Sequence, residues 1–175
     1  GLCELRRHTS QQVAIGLSLG GALALYLGAH EPLLGVVAMA TPIHIRDWRI
    51  TLLRPFQRWI PFWPKGESDI EDAEARATHI DYDRNPTDCV VSLLDFLKRV
   101  DAALPRVQRP TLVMQARNDR VIPTTDPAYI LRRVRARQKE MRWIERGGHI
   151  VTEDLDREIV LGHVRAFLAQ LRGAL

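Results

Sequence analysis

Short apolar runs alternate with longer segments of helical pattern along the chain. A run that is apolar at almost every position is typical of a strand buried on both faces of a parallel sheet, whereas apolar residues three or four apart indicate one buried face of a helix. Such alternation predicts a parallel α/β sheet with right-handed crossovers and helices on both faces. The predicted strands cover residues 12–16, 34–40, 111–116 and 140–145, and the predicted helices cover residues 20–30, 87–103, 127–134 and 155–171.

Two of these helices carry a clear apolar stripe. We expect the stripe of the helix at residues 87–103 to pack back onto the sheet, and the stripe of the last helix to turn inward. The stripe residues are Val90, Val91, Leu93, Leu94, Leu97 and Val100 in the first helix, and Ile159, Val160, Val164, Phe167, Leu168 and Leu171 in the last.

The segment from residue 44 to residue 86 breaks the alternation. Its first part is rich in aromatic residues and proline, and the stretch between residues 67 and 74 is acidic. Prolines at this density interrupt helices and strands. We therefore expect residues 44–86 to be a lid inserted into an α/β core formed by residues 1–43 and 87–175.

Composition narrows the class of protein. Of the 175 residues, 46% are hydrophobic and 26% are charged, as in soluble globular domains. No apolar run approaches the roughly 18 residues that span a bilayer, and the first residues lack the apolar stretch of a signal peptide. These features predict a cytoplasmic protein without stable membrane insertion. Cys3 and Cys89 form no C-x-x-C pair, so we expect reduced, structural cysteines and no metal site.

The net charge of +4 raises nucleic acid as a partner, because clustered cations neutralise phosphates. The densest basic cluster lies between residues 132 and 142, where the pattern predicts one helix and the turn after it. Aromatic side chains that would stack on bases are not interleaved with it. We interpret the cluster as a solvated face and predict no nucleic-acid partner. The oligomeric state stays unknown from the sequence.

The strongest local motif is Gly16-Leu17-Ser18-Leu19-Gly20-Gly21, a G-x-S-x-G sequence between a predicted strand and a predicted helix. In this context the turn is strained, so that the Ser18 hydroxyl projects from the sheet. We expect side chains at positions 16 and 20 to collide with the neighbouring strand and helix. The alternative is a glycine-rich helix N-terminus that binds an anion.

A serine hydroxyl becomes a good nucleophile only beside a base that is itself held by a carboxylate. Asp119 follows the strand predicted at residues 111–116, and His149 follows the strand predicted at residues 140–145. Parallel strands end at the same edge of a sheet, where ligands bind, so both side chains are expected near Ser18. The chain order Ser, Asp, His is that of an α/β-hydrolase triad.

Other assignments stay open at this point. Asp119 alone also suits a turn-capping carboxylate, and His149 alone suits a loop histidine. Asp126 is the reserve candidate for the acid. His44, at the start of the predicted lid, is a candidate for contact with substrate.

On these motifs the chain resembles the carboxylesterase and monoacylglycerol-lipase-like branch of the α/β-hydrolases, over nearly its whole length from Gln11. The motifs are Gly16-Leu17-Ser18-Leu19-Gly20-Gly21, Gln115-Ala116-Arg117-Asn118-Asp119 and Gly147-Gly148-His149-Ile150-Val151-Thr152.

The resemblance implies an α/β-hydrolase fold in which Ser18 is the nucleophile, Asp119 the acid and His149 the base. It also implies that the backbone N–H of Leu19 is one donor of the oxyanion hole. Members of that branch have further N-terminal strands and a loop that gives a second donor. Nothing before Gln11 resembles that loop, so we expect an N-terminally truncated version of the fold.

The function implied is that of a serine hydrolase that cleaves carboxylic esters through an acyl-enzyme on Ser18. Its substrate would be a small-molecule ester with an acyl chain, and it would need no metal and no cofactor. The alternatives are a thioesterase or an acyltransferase with the same triad, or an inactive hydrolase-like fragment that only binds a ligand or partner.

Apolar and aromatic side chains of the predicted lid are candidate walls of an acyl pocket. The alternatives are that they form the core of the lid or a patch that rests on a lipid surface. They are Leu52, Leu53, Phe56, Trp59, Phe62 and Trp63.

Overall fold

A computed structural model of the chain describes residues 1–45, 47, 49–50, 54–56, 58–64, 66 and 68–173, with the backbone alone for Phe56. The predicted strands and helices are all present, and their ends differ from the predicted ones by no more than two residues. In chain order the elements are α1 (Leu2–Leu5), β1 (Val13–Leu17), α2 (Leu19–His30), β2 (Gly35–Met39), β3 (Phe62–Pro64), α3 (Ala73–Thr78), β4 (Arg84–Pro86), α4 (Thr87–Ala103), β5 (Thr111–Ala116), α5 (Asp126–Arg133), β6 (Lys139–Ile144) and α6 (Arg157–Gly173).

A parallel sheet with the strand order β1-β2-β5-β6 forms the centre of the fold. Its register places Val36 opposite Thr111, and Thr111 opposite Lys139. The two central strands, β2 and β5, are buried along their whole length, which explains their mostly apolar sequences. The polar residues among them are Thr111 and Gln115 of β5, which are buried as well. Because all four strands run the same way, the loops after them meet at one edge of the sheet. The predicted parallel α/β architecture is therefore confirmed.

Apolar side chains that alternate along the central strands fill two core layers, one on each face of the sheet. The first layer holds α2, α4 and α5, and the second holds α6. Fully buried members of the first are Leu25, Val36, Ala38, Val100 and Ile130, and members of the second are Val37, Leu112, Met114, Val160 and Phe167.

The inward face of α6 differs from the predicted stripe at one residue. Val160, Phe167 and Leu171 are buried, but Ile159 is 52% exposed, so its predicted inward orientation is wrong. The buried residues are seven and four positions apart and lie on one side of the helix. A neighbouring position is rotated by about 100°, which turns Ile159 toward solvent.

The basic cluster is also distributed differently from the prediction. Only its first members lie on α5, whereas Lys139 and Arg142 belong to β6. Arg133 contacts Asp101, and Arg142 contacts Glu140. The cluster is therefore spread over a helix end, a turn and an edge strand, with several of its charges paired locally.

Part of the region predicted as a lid packs against the core. Its strands β3 and β4 form a two-stranded antiparallel sheet. Further along, Asp72 caps α3 by accepting hydrogen bonds from the backbone N–H groups of Glu74 and Ala75. Ile70, which precedes this cap, is buried. The division into a core (residues 1–43 and 87–175) and a lid (residues 44–86) stays a prediction.

Candidate active site

Ser18 occupies the sharp turn between β1 and α2. Its backbone has φ 53° and ψ −120°, a conformation that costs a non-glycine residue about 1–3 kcal/mol. The turn is held by the Ser18 N–H, which donates a 2.8 Å hydrogen bond to the carbonyl of Met39 at the end of β2. The strained turn expected for the motif is therefore present.

The glycines of the motif do not all have the predicted role. A Cβ at Gly16 would overlap the backbone carbonyl of Gly20, so position 16 requires glycine because the turn folds back on itself. A Cβ at Gly20 meets nothing within 4 Å, and the predicted collision there is wrong. The second close approach is at Gly21, where a Cβ would overlap the Thr41 hydroxyl.

His149 lies in the loop that follows β6 and is 6% exposed. Its Nε2 is 2.9 Å from the Ser18 Oγ, and its Nδ1 is 3.1 Å from the Asp119 Oδ2. Because the carboxylate accepts the Nδ1 proton, the Nε2 lone pair is available to the serine hydroxyl. The structure thus brings together the three side chains that the sequence separates by up to 131 positions.

Asp119 is buried in the loop that follows β5. Its Oδ1 accepts hydrogen bonds from the backbone N–H groups of Val121 and Ile122, at 2.9 and 2.8 Å. Its Oδ2 accepts one from Gln115 Nε2 at 3.2 Å and faces His149. Asp119 therefore caps its own turn and also contacts the imidazole of His149. Its role as the catalytic acid stays a prediction.

Leu19, the predicted oxyanion donor, is the first residue of α2. The first N–H groups of a helix have no partner within the helix, and the helix dipole makes this end favourable for negative charge. The Leu19 N–H therefore lies next to the Ser18 side chain, and it has no hydrogen-bond acceptor within the helix. Its role in an oxyanion hole stays a prediction.

A cavity of about 450 Å³ opens beside Ser18. Its walls are mostly apolar and come from the serine turn, the loop after β2, α4, the loop after Asp119 and the region predicted as a lid. Among the residues that line it are Ile45, Trp63, Val90, Leu93, Leu94, Val121 and Ile122.

The predicted acyl-pocket residues are scattered relative to this cavity. Trp63 lines it, whereas Trp59 is 77% exposed and Phe62 is 48% exposed. Phe62 borders a separate groove along β4 instead. Leu52 and Leu53 lie outside the described residues, and so does the side chain of Phe56.

Three residues of the α4 stripe, which was expected to pack onto the sheet, form a wall of the cavity. They are Val90, Leu93 and Leu94. Val91, Leu97 and Val100 are buried as expected. The sequence contained a sign of this second contact surface, because the apolar residues on α4 cover more than one face of the helix. Cys89, predicted to be structural, is a free and exposed thiol that also lines the cavity.

The reserve acid, Asp126, has a different partner. It is fully buried and accepts hydrogen bonds from the backbone N–H groups of Ile43 and His44, at 2.8 and 2.9 Å. Its other oxygen is 2.6 Å from the Nδ1 of His44. Asp126 and His44 therefore form their own pair, and Asp119 is the carboxylate at His149.

In the described part of the chain, no group of three or more His, Cys, Asp or Glu side chains is arranged to hold a metal ion. No described helix is both long and apolar enough to cross a membrane.

The parallel sheet, the strained serine turn and the loops that bring Asp119 and His149 to the same edge define an α/β-hydrolase fold. Residues 3–156 match the family described as serine aminopeptidase, S33. The chain belongs to this family of α/β-hydrolases, which confirms the resemblance found in its motifs.

Curated relatives include enzymes named for ester substrates. The chain is 31% identical over 161 residues to a carboxylesterase of Bacillus subtilis (strain 168), covering 90% of the chain and 63% of that protein. It is 24% identical over 171 residues to a thermostable monoacylglycerol lipase of Bacillus sp. (strain H-257), covering 97% of the chain and 67% of that protein. The chain thus spans about two thirds of the length of these relatives.

Solved structures show the same fold. A structure from work on LipS and LipT, two metagenome-derived lipolytic enzymes, superposes with a TM-score of 0.90 at 24% identity, over 97% of this chain and 69% of that one. The monoacylglycerol lipase of Paleococcus ferrophilus gives a TM-score of 0.79 at 17% identity, over 97% and 72%.

Proposed function

We propose that the chain is a serine hydrolase that cleaves carboxylic esters through an acyl-enzyme on Ser18. The observation that carries the proposal is the continuous contact from Ser18 Oγ to His149 Nε2 and from His149 Nδ1 to Asp119 Oδ2, at 2.9 and 3.1 Å. Ser18, at one end of these contacts, lines a mostly apolar cavity. A base within hydrogen-bond reach of the nucleophile and a carboxylate behind the base are what acyl transfer requires.

The proposed reaction has two halves. Ser18 Oγ attacks the ester carbonyl carbon while His149 Nε2 takes the hydroxyl proton, and the resulting oxyanion forms next to the Leu19 N–H. His149 then returns the proton to the departing alcohol, which leaves an acyl group on Ser18. Water repeats the attack with the same base and releases a carboxylic acid.

The walls of the cavity support the proposed substrate class. Apolar side chains dominate them, as expected where an acyl chain binds. A peptide amino terminus would need a free carboxylate, and the acidic residue among the described lining residues is Asp47. Its oxygens already accept hydrogen bonds from Arg49, at 2.8 and 2.7 Å. An ester with an apolar acyl chain therefore fits this cavity better, in agreement with the names of the relatives.

A fluorophosphonate probe tests the nucleophile. We expect covalent labelling of the folded chain, and we expect Ser18→Ala to abolish it. Ser92→Ala is the matched control, since Ser92 lies exposed on α4, outside the triad, and should leave labelling unchanged. A folded chain that does not react, or a Ser18→Ala variant that still does, contradicts the proposal.

A second experiment tests which acyl chain the cavity binds and which molecule accepts the acyl group from Ser18. Hydrolysis of p-nitrophenyl esters of increasing acyl length should show an optimum if the cavity receives the acyl chain. Thioesters of the same acyl groups, with and without an added alcohol, distinguish an esterase from a thioesterase or an acyltransferase. A rate that is independent of chain length would contradict an acyl-binding cavity.

A further inference from the structure

The carboxylate of Asp69 connects the two loops that carry the acid and the base. Its Oδ2 accepts hydrogen bonds from the backbone N–H of Arg120, at 2.9 Å, and from the backbone N–H of His149, at 3.1 Å. The first lies one residue after Asp119, and the second belongs to the base itself. The Asp69 side chain is only 8% exposed, so water competes little for these bonds.

The backbone of Asp69 strengthens the same connection. The His149 N–H is also 3.1 Å from the carbonyl oxygen of Asp69, so it is shared between two acceptors of one residue. A Cβ at Gly148 would overlap that carbonyl, so the two backbones approach as closely as a glycine allows. The backbone of His149 is therefore held in place directly by Asp69.

Two further carboxylates join the same segments. Glu71 Oε1 accepts from Asn118 Nδ2 at 3.3 Å, and its Oε2 accepts from the Gly147 N–H at 3.1 Å. Asp154 accepts from the N–H groups of Gly148 and Glu71 at 2.7 and 2.9 Å. We call Asp69, Glu71 and Asp154 the acidic clamp. It links the loop before His149, the loop around Asp119 and the segment that leads into α3.

The ionised state of the clamp is supported at Asp154. Burial alone raises the pKa of this carboxyl, but hydrogen bonds from four backbone N–H groups outweigh burial and hold the pKa below its usual value. Those donors belong to Gly148, Glu71, Asp72 and Leu155. Bonds from N–H groups to a charged carboxylate are about twice as strong as neutral ones, so the clamp is a firm tie between distant segments.

We infer that Asp69 is a positioning residue for the reaction, because it keeps the Asp119 loop and the His149 backbone at the spacing that the Nδ1 to Oδ2 contact needs. This inference rests on the proposed function. Asp69 itself does not contact Ser18 or the cavity described beside it. Its effect is expected through His149, whose ring must meet Asp119 and Ser18 at once. A shift of about 1 Å in such a constellation lowers a rate by up to about 10²-fold.

Three variants distinguish the charge of Asp69, its hydrogen bonds and the overall negative charge of the acidic stretch. Asp69→Ala removes the bridging oxygen, and Asp69→Asn keeps one carbonyl oxygen in nearly the same place without the charge. Glu74→Ala is the matched control, because Glu74 lies in the same acidic stretch, is exposed, and is not part of the clamp. Circular dichroism and thermal melting show which variants are folded.

The kinetic measurement is hydrolysis of a p-nitrophenyl ester, with kcat and KM determined separately on active sites counted by fluorophosphonate. We expect Asp69→Ala to lower kcat roughly 10- to 100-fold with little change in KM. Asp69→Asn should recover most of the loss, and Glu74→Ala should match the parent chain. A variant that merely unfolds in part would lose active sites but keep the kcat of the remainder.

The spectroscopic measurement is the downfield ¹H resonance of the hydrogen-bonded Nδ1 proton, assigned by its absence in His149→Ala. It should be present in the parent chain and in Glu74→Ala, and lost or strongly broadened in Asp69→Ala. Parental kcat and an unchanged resonance in folded Asp69→Ala would overturn the inference. A parent chain that shows the resonance but hydrolyses no ester would instead contradict the proposed function, and the resonance would still test the role of Asp69.

Discussion

The nucleophile and its acid–base partners are built in different ways. Ser18 is placed by its own neighbours in the chain: β1 leads into the turn, α2 leads out of it, and a single bond to Met39 ties the turn to the next strand. Asp119 and His149 lie on separate loops that are joined by the carboxylates of Asp69 and Glu71. Asp154 ties the His149 loop to Glu71.

This difference determines what each side tolerates. The serine turn depends on the absence of side-chain atoms, since a Cβ at Gly16 overlaps the backbone. The acid–base side depends on polar contacts between segments about 50 to 80 residues apart. We therefore expect packing changes to damage the first side and loss of hydrogen-bond acceptors to damage the second.

The largest expected effect tests whether both sides serve one reaction. Ser18→Ala, His149→Ala and the double variant should each lower kcat by about the same factor, on the order of 10⁶-fold, because the groups act as a unit. Steady-state ester hydrolysis on purified variants measures this. Effects that add in the double variant would show that the two residues act independently.

Two glycines of the serine motif differ in how closely they are packed. Gly16→Ala should destabilise the fold by about 3 kcal/mol or more, because backbone meets backbone and cannot yield easily. Gly20→Ala has open space and lies inside α2, so it should be neutral or stabilising by about 0.5–1 kcal/mol. Urea denaturation of both variants gives the values. Equal losses at the two positions would contradict the packing described for the turn.

Acid sensitivity distinguishes the other side. Since the pKa of Asp154 is lowered by folding, its contribution to stability is present above the unfolded pKa, about 3.9, and is lost as the pH falls through the folded value. Asp154→Ala should therefore cost about 2 kcal/mol at pH 7, and less below about pH 4. Unfolding curves at several pH values measure the difference, with Glu74→Ala as the control. A difference that stays constant with pH would rule out the carboxylate as its source.

The smallest expected effect concerns the cavity. Trp63→Ala should lower kcat/KM for long-chain esters roughly tenfold, since about 50 Å² of lost apolar contact amounts to about 1.3 kcal/mol. Trp59→Ala, at an exposed position outside the cavity, should change it less than about twofold. The pair is compared over the same series of acyl lengths. A larger effect at Trp59 would move the acyl site away from this cavity.

The local parts of the molecule were predictable from the sequence. The central strands are mostly apolar because both faces are covered, and Thr111 and Gln115 of β5 are buried polar exceptions. The helix α4 has the predicted ends because Pro86 precedes it and its apolar residues recur at helical spacing. The serine turn was predictable for the same reason, since its geometry is decided within six consecutive residues.

The parts that depend on distant contacts were not. The acidic stretch at residues 67–74 has no periodicity that reveals the partners of Asp69, because hydrogen bonds to backbone N–H groups leave no mark on the sequence of the donor loop. Likewise, aromatic character alone did not separate Trp63, which lines the cavity, from Trp59, which is exposed. Burial at such positions is decided by the packing of the whole region.

Trapping the acyl-enzyme tests whether Ser18 is the nucleophile. After brief mixing with a p-nitrophenyl ester and an acid quench, mass spectrometry of the intact chain should show the mass of one added acyl group. Peptide mapping should place that group on Ser18, and Ser18→Ala should show none. Hydrolysis that persists in Ser18→Ala, or an acyl group found on another residue, would contradict the account.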